Sequence, residues 1–238
     1  MIARYDLSRQ IAGFDFFHWL LWVQSIGATE IVIDDRAPKT DKWDAATVRR
    51  RIETVIKPGP ALAGLPWRVG ADGETHRGYL AELLQAARAG KPIRRLRTIR
   101  PPGVDRYTVT LRKTERVPER NSNEPHWRMF ADEIGARVIT DEEVCAMPLA
   151  ELMAIYAGAE MNFGVPNGPV TMCGLSEYPV MIFDFQKSEG PLAQRGMKFG
   201  DQLPWATRDQ FQVWEPDELP VIWRHFNLWR AGSCATTS

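Results

Sequence analysis

Four cations, Arg112, Lys113, Arg116 and Arg120, fall within nine residues directly behind the apolar run Tyr107–Leu111. Arginine offers a planar fork of N–H groups that suits a phosphate, and Pro118 keeps this stretch from forming one continuous helix, so the segment has the makings of an anion site beyond a strand end. Glu115 and Glu119 leave open a plainer reading, a solvated loop whose charges neutralise one another. A second candidate is the turn GVPNGPV at residues 164–170. Asn167 can cap a helix that starts at Gly168, Gly168 admits a ligand close to the backbone, and Pro169 presets the first turn. The N–H groups freed there form an anion cradle. Asn-Gly-Pro alone is a common turn, and it gains meaning from lying between two buried strands. The third candidate is the pair Asp15 and His18, three residues apart in an aromatic run and so on one face of a helix. They have the chemistry of a general base and its partner. The alternative is an Asp15 that satisfies first-turn N–H groups and a His18 that is a hydrogen-bonded core residue. Asp34, Asp35 and Glu177 are reserves for the base.

The elements that must position these residues alternate. A strand at IARYDL precedes a buried helix over 13–26, a strand over 30–34, a helix over 43–56 stopped by Pro58 and Gly59, a weak strand over 67–69 and a helix over 77–89. Pro101, Pro102 and Gly103 read as a linker. Beyond it come strand 107–111, helix 124–134 with Asn123 as its N-cap, strand 137–139, helix 148–156, strand 160–163, helix 168–176 and strand 180–183. A long loop, 184–212, carries Gly190, Gly196 and Gly200 with Lys198, Phe199 and Trp205, and is either functional or a surface excursion pinned by Trp205. A last helix over 217–230 is followed by a tail, 231–238, expected to be disordered. Such βαβα order implies α/β architecture, parallel sheets covered by helices on both faces, with ligands beyond the carboxyl ends of the strands. The expected division is an N-terminal half, 1–100, and a C-terminal half, 104–230.

Composition bounds the function. The 238 residues are 44% hydrophobic and 25% charged, enough for a substantial core. Thirty basic and thirty acidic residues cancel, so nucleic acid is not expected as a partner. Charge is nevertheless uneven: residues 88–120 hold eleven Lys or Arg against three acids, a net of +8, which leaves −8 on the remainder. The longest nearly apolar run, Phe16–Val23, is far short of the roughly 20 residues that cross a bilayer, so no transmembrane segment is expected. With no targeting signal at the N-terminus, a cytoplasmic protein is the expectation. Cys145, Cys173 and Cys234 are spaced neither as a disulfide framework nor as a metal motif, and the chain is expected to hold no metal and no cofactor.

The run LAELMAIYAGAEMNFGVPNGPVTMCGLSEYPVMIFDF resembles the C-terminal half of GT-B glycosyltransferases, particularly the heptosyltransferase-like group, in which a turn followed by a helix holds the donor diphosphate. The likeness extends over residues 107–184. Asn167, Gly168 and Pro169 occupy that turn, while Val170 and Thr171 stand where the group carries Met-His. The segment IAGFDFFHWL is similar to the start of the group's first helix, where a glycine-acid turn contributes the base, which makes Asp15 the candidate base with His18 as orienting partner or substitute. The resemblance implies two Rossmann-like doubly wound halves with parallel sheets, small and GT-B-like, an acceptor side in 1–100 and a donor side in 104–230. It implies metal-independent transfer of a sugar from a nucleotide-activated donor, with Arg112, Lys113, Arg116, Arg120, Asn167, Gly168 and Pro169 around the phosphates. The competing expectation is a non-catalytic module of this fold that binds a nucleotide or another anion.

Overall fold

The structure is a computed structural model that describes residues 1–76, 80–97, 106–115, 117–183 and 196–232. The chain divides into two compact units. The first holds the described residues up to 97 with Met147–Met153 and Leu175–Glu177, and the second holds the other described residues from 106 onward. The linker expected at Pro101–Gly103 and residues 233–238 of the expected tail lie outside the described residues.

In the first unit, strands β1 (Ile2–Asp6), β2 (Glu30–Asp34), β3 (Trp67–Val69) and β4 (Glu74–Thr75) form a sheet in the order β3-β2-β1-β4, every pair parallel. Helix α1 (Asp15–Ser25) follows β1 and buries Phe16, Phe17, Trp19, Leu20, Leu21 and Val23. Its aromatic residues lock onto the sheet through Tyr5, whose ring centroid is 4.7 Å from that of Phe16 and 4.9 Å from that of Trp19, both edge-on. Helix α2 (Ala45–Arg51) starts where Asp44 accepts the N–H groups of Ala46 and Thr47 at 2.9 Å each. It runs on as a π-helix, Ile52–Ile56. Gly59, expected to stop this helix, instead opens a short helix, α3 (Gly59–Leu62). A Cβ there would stand 2.5 Å from Cε1 of Phe16, so glycine lets the chain lie against α1. Helix α4 (Leu80–Arg88) turns Leu80, Leu83 and Leu84 inward.

The second unit has a sheet of β5 (Tyr107–Thr110), β6 (Arg137–Ile139), β7 (Met161–Gly164), β8 (Val180–Phe183) and β9 (Gln210–Val213) in the order β6-β5-β7-β8-β9, again all parallel. Its helices are α5 (Glu124–Ile134), α6 (Asp141–Ala146), the second half of α7 (Leu149–Gly158), all but the last residue of α8 (Gly168–Leu175) and α9 (Leu219–Arg230). Trp127, Phe130, Phe163 and Phe226 meet edge-on at the centre of the core, with Phe130 5.3 Å from both Phe163 and Phe226. Through Ile222 and Phe226, α9 belongs to this core. Strand β9 was not expected within the glycine-bearing loop. Its QFQV pattern points polar residues inward, and the burial is met because Gln210 donates to the carbonyls of Cys173 and Tyr178 at 2.7 and 3.0 Å. Both units are thus α/β, each a parallel sheet with interleaved helices. Among the described residues no helix is long and apolar enough to cross a membrane.

Candidate functional site

The order of the second sheet matters because β5 has its sequence successor β6 on one side and β7 on the other. Chain connections therefore leave β5 and β7 in opposite directions, and the crevice at such a switch point is where open parallel sheets hold ligands. Thr110 pairs with Gly164, so the loops that follow the two strands emerge side by side, about 4.8 Å apart at their roots. These are the arginine-bearing loop and the Asn-Gly-Pro turn. Gly164 is required for this approach, since a Cβ would lie 2.8 Å from the backbone oxygen of Thr110 and 2.9 Å from Val170.

The loop after β5 is closed by two rungs. The Arg112 N–H donates to Ser122 Oγ at 2.9 Å while the Ser122 N–H donates to the Arg112 carbonyl at 3.0 Å. The Asn121 amide bonds both the N–H and the carbonyl of Thr114, at 2.9 and 3.0 Å. Held this way, Arg112 is half-buried, and its Nε is enclosed with no hydrogen-bond partner. Burial holds its guanidinium below the ordinary arginine value, against the pull of Asp141 and Glu119. It stays a cation. Neither carboxylate comes within ion-pairing distance of it, so Arg112 makes no ion pair among the described residues. Lys113 departs from expectation: its backbone N–H donates to Asp141 at 2.8 Å and its exposed ammonium lies 3.7 Å from Glu124. Arg120 ends a single 3-10 turn, Pro118–Arg120, with its Nε enclosed, and Arg116 lies outside the described residues. Asn123 does not cap α5 with its side chain. Its amide bonds His126 Nδ1 at 2.7 Å, and its N–H donates to Asp217.

At the end of β7 the Asn167 side chain does cap α8, accepting the Val170 N–H at 2.8 Å. Its carbonyl accepts the Thr171 N–H at 3.1 Å and the Thr171 hydroxyl at 2.7 Å. Val170 is fully buried and the Thr171 hydroxyl proton is used on that carbonyl, so neither residue at the Met-His positions has a side-chain donor to offer. Because Pro169 lacks an N–H and Val170 and Thr171 are bonded, the cradle is narrower than the sequence implied. It consists of the Gly168 N–H together with Asn167 Nδ2, a donor buried without a partner in a residue only 6% exposed. The cap fixes that orientation: turning the amide round would set its NH₂ against the Val170 N–H. Below the turn the sheet is braced by buried polar pairs, Thr108 to Asn162 at 2.6 Å and Thr110 to Tyr156 at 2.9 Å. Burial pushes the Tyr156 hydroxyl and the Cys173 thiol well above their ordinary values, which makes Cys173 an inert core thiol and no nucleophile.

At the carboxyl edge of the first sheet, Asp6 accepts the N–H and hydroxyl of Ser8 at 3.0 and 2.6 Å, Asp34 takes both arms of Arg36 at 2.8 Å, and Asp35 lies 3.3 Å from Lys57. Asp15, the first residue of α1, differs. It is half-buried and has no hydrogen-bond or ion-pair partner among the described residues, so it does not satisfy first-turn N–H groups. His18 is 6% exposed with Nδ1 enclosed, so it is placed as a core residue, and no hydrogen bond joins it to Asp15. Among the described residues no three His, Cys, Asp or Glu side chains gather as a metal site.

The second unit is therefore a doubly wound parallel α/β module with unfilled donors at its switch point. No protein-family model matches the sequence. No curated protein matches it either. Among solved structures it is similar to the iron-containing dodecameric glycosyltransferase TibC of enterotoxigenic E. coli, with 13% identity, a TM-score of 0.42, and coverage of 76% of this chain and 57% of that one. The chain thus spans less than two thirds of that structure's length.

Proposed function

We propose that the protein is a glycosyltransferase that moves a sugar from a nucleotide-activated donor to an acceptor hydroxyl. The observation that carries this reading is the pair of enclosed donors without partners, Arg112 Nε and Asn167 Nδ2, on adjoining loops at the switch point of one sheet. A buried donor left unbonded costs about 1–3 kcal/mol, and more when charged, so two of them, one on a cation and the other at a helix N-terminus, call for an anion with several acceptor oxygens. A diphosphate has that form. In the reaction the acceptor oxygen attacks the anomeric carbon, the bond from that carbon to the diphosphate oxygen breaks, and the leaving group departs with the electron pair. Arg112, Asn167 and the Gly168 N–H stabilise its charge, Arg116 and Arg120 add to the field, and Lys113 contributes only at longer range. Asp15 takes the acceptor proton. Pro169 shapes the turn. No metal is assigned a role.

The test is thermal stability across a panel of nucleoside diphosphates, nucleotide-sugars and inorganic pyrophosphate, since a ligand that binds only the native state raises the melting temperature. A nucleoside diphosphate should stabilise the chain, and Arg112→Gln or Asn167→Ala should weaken its binding by roughly 10- to 100-fold, the worth of one hydrogen bond to a charged group. No stabilisation by any of them would overturn the reading. Release of diphosphate from a bound nucleotide-sugar, unaffected by a chelator, separates a transferase from a module that only binds.

A further inference from the structure

The first unit contains a cavity of about 700 Å³ between the segment after β2 and helix α2 with the π-helix that continues it. Arg49 and Arg50 line it, both exposed, and neither guanidinium has a hydrogen-bond, ion-pair or aromatic partner among the described residues. Two acids, Asp35 and Glu53, also line it and would be expected to pair with them. They are taken instead by Lys57, which lies 3.3 Å from Asp35 and bonds Glu53 as well. Lys57 directly follows the π-helix, and its N–H bonds the carbonyl of Ile52 at 2.9 Å, five residues back. Such turns are rare in proteins and concentrate at functional sites. Arg36 at the rim is likewise spent, on Asp34. The third arginine in the run, Arg51, turns the other way and is 6% exposed, stacked 4.3 Å over Trp43 with its Nε bonded to the Ala12 carbonyl. Of three successive arginines, one is structural and two are left facing a cavity whose acids are already neutralised. Pro38 and Ile52 give the same cavity an apolar wall.

We infer that this cavity binds a small organic anion, a phosphate or carboxylate gripped by Arg49 and Arg50 with its carbon body against Pro38 and Ile52. Two adjacent guanidinium groups match the oxygens of either anion, and the apolar wall selects an organic molecule over the inorganic ion. The site lies wholly in the first unit and does not rest on the diphosphate site of the second.

Phenyl phosphate and benzoate serve as probes, with inorganic phosphate as the control lacking a carbon body. Binding is followed by calorimetric titration in an Arg112→Gln/Asn167→Ala background, so that the proposed diphosphate site contributes nothing. At least one organic probe should bind more tightly than inorganic phosphate, and adding Arg49→Gln and Arg50→Gln should weaken it at least tenfold while circular dichroism stays unchanged. Binding of phenyl phosphate alone identifies a phosphate ligand, and of benzoate alone a carboxylate. Absence of binding by both organic probes, or binding that the two arginine substitutions leave unaltered, overturns the inference.

Discussion

The carboxyl edges of the two sheets are built from similar parts and end in opposite electrostatic states. At the first, the strand-end acids Asp6 and Asp34 and the following Asp35 are each committed to a hydrogen bond or a cation, and Asp15 is left without a partner among the described residues. At the second, the strand ends are uncharged, the loops close on their own backbone, and donors are the groups left over. Each edge ends a parallel sheet, so the difference is not one of fold. It lies in which valence is left unfilled. An edge with a spare carboxylate is equipped to take a proton, and an edge with spare buried donors is equipped to hold oxygens.

The sharpest way to break this comparison is to fill the second edge. Gly168→Val should abolish binding of nucleoside diphosphates in a calorimetric titration while the circular dichroism spectrum stays native; retained affinity would remove the anion from this turn. At the first edge, Asp15→Asn should lower the rate of sugar transfer by roughly 10² to 10⁴, the usual contribution of a general base, with donor affinity little changed. An equal loss in affinity would make Asp15 a binding group instead. The expected effect of Gly164→Ala is smaller and falls on stability. Its Cβ would press on the Thr110 backbone at 2.8 Å, and backbone cannot turn aside as a side chain does, so denaturant unfolding should show a loss of about 1–3 kcal/mol.

The smallest effect concerns the committed acids. The Arg36 hydrogen bonds hold the Asp34 carboxyl below the usual carboxylate range, with Arg4 adding to this and burial opposing it. A depressed folded value means stability that is present above the unfolded value of about 3.9 and lost as pH falls through the folded one. The difference in melting temperature between the wild type and Asp34→Asn should therefore be steady near neutrality and close between about pH 5 and pH 2. It should also be modest, since Arg36 is 68% exposed and solvent screens the pair. A difference that widened on acidification would show that Asp34 is not held as an anion.

Much of this architecture was legible because hydrophobic periodicity is a local property. Strands Glu30–Asp34, Arg137–Ile139 and Val180–Phe183 and helix Glu124–Ile134 coincide with the runs that predicted them. The elements missed were those whose pattern runs against the rule. In β9 two inward glutamines are paid for by distant carbonyls, α6 opens with three acids, and β4 is two residues long. Among the site residues, the Asn167 cap could be read from Asn-Gly-Pro because a cap is made within four residues. The side chain of Asn123 looked equally suitable, and it failed as a cap because His126 competed for it.

Residue types and short-range spacing by themselves determined that the chain alternates strands and helices, that a basic loop follows one strand and that a capped glycine turn follows another. They did not determine that β5 and β7 are neighbours, because strand order depends on pairings between residues more than fifty positions apart. Nor did they separate Arg112 from Lys113, or Arg49 and Arg50 from Arg51. Those choices follow from which carboxylates, rings and carbonyls the folded chain brings within bonding distance, and only the tertiary structure shows whose partners are already taken.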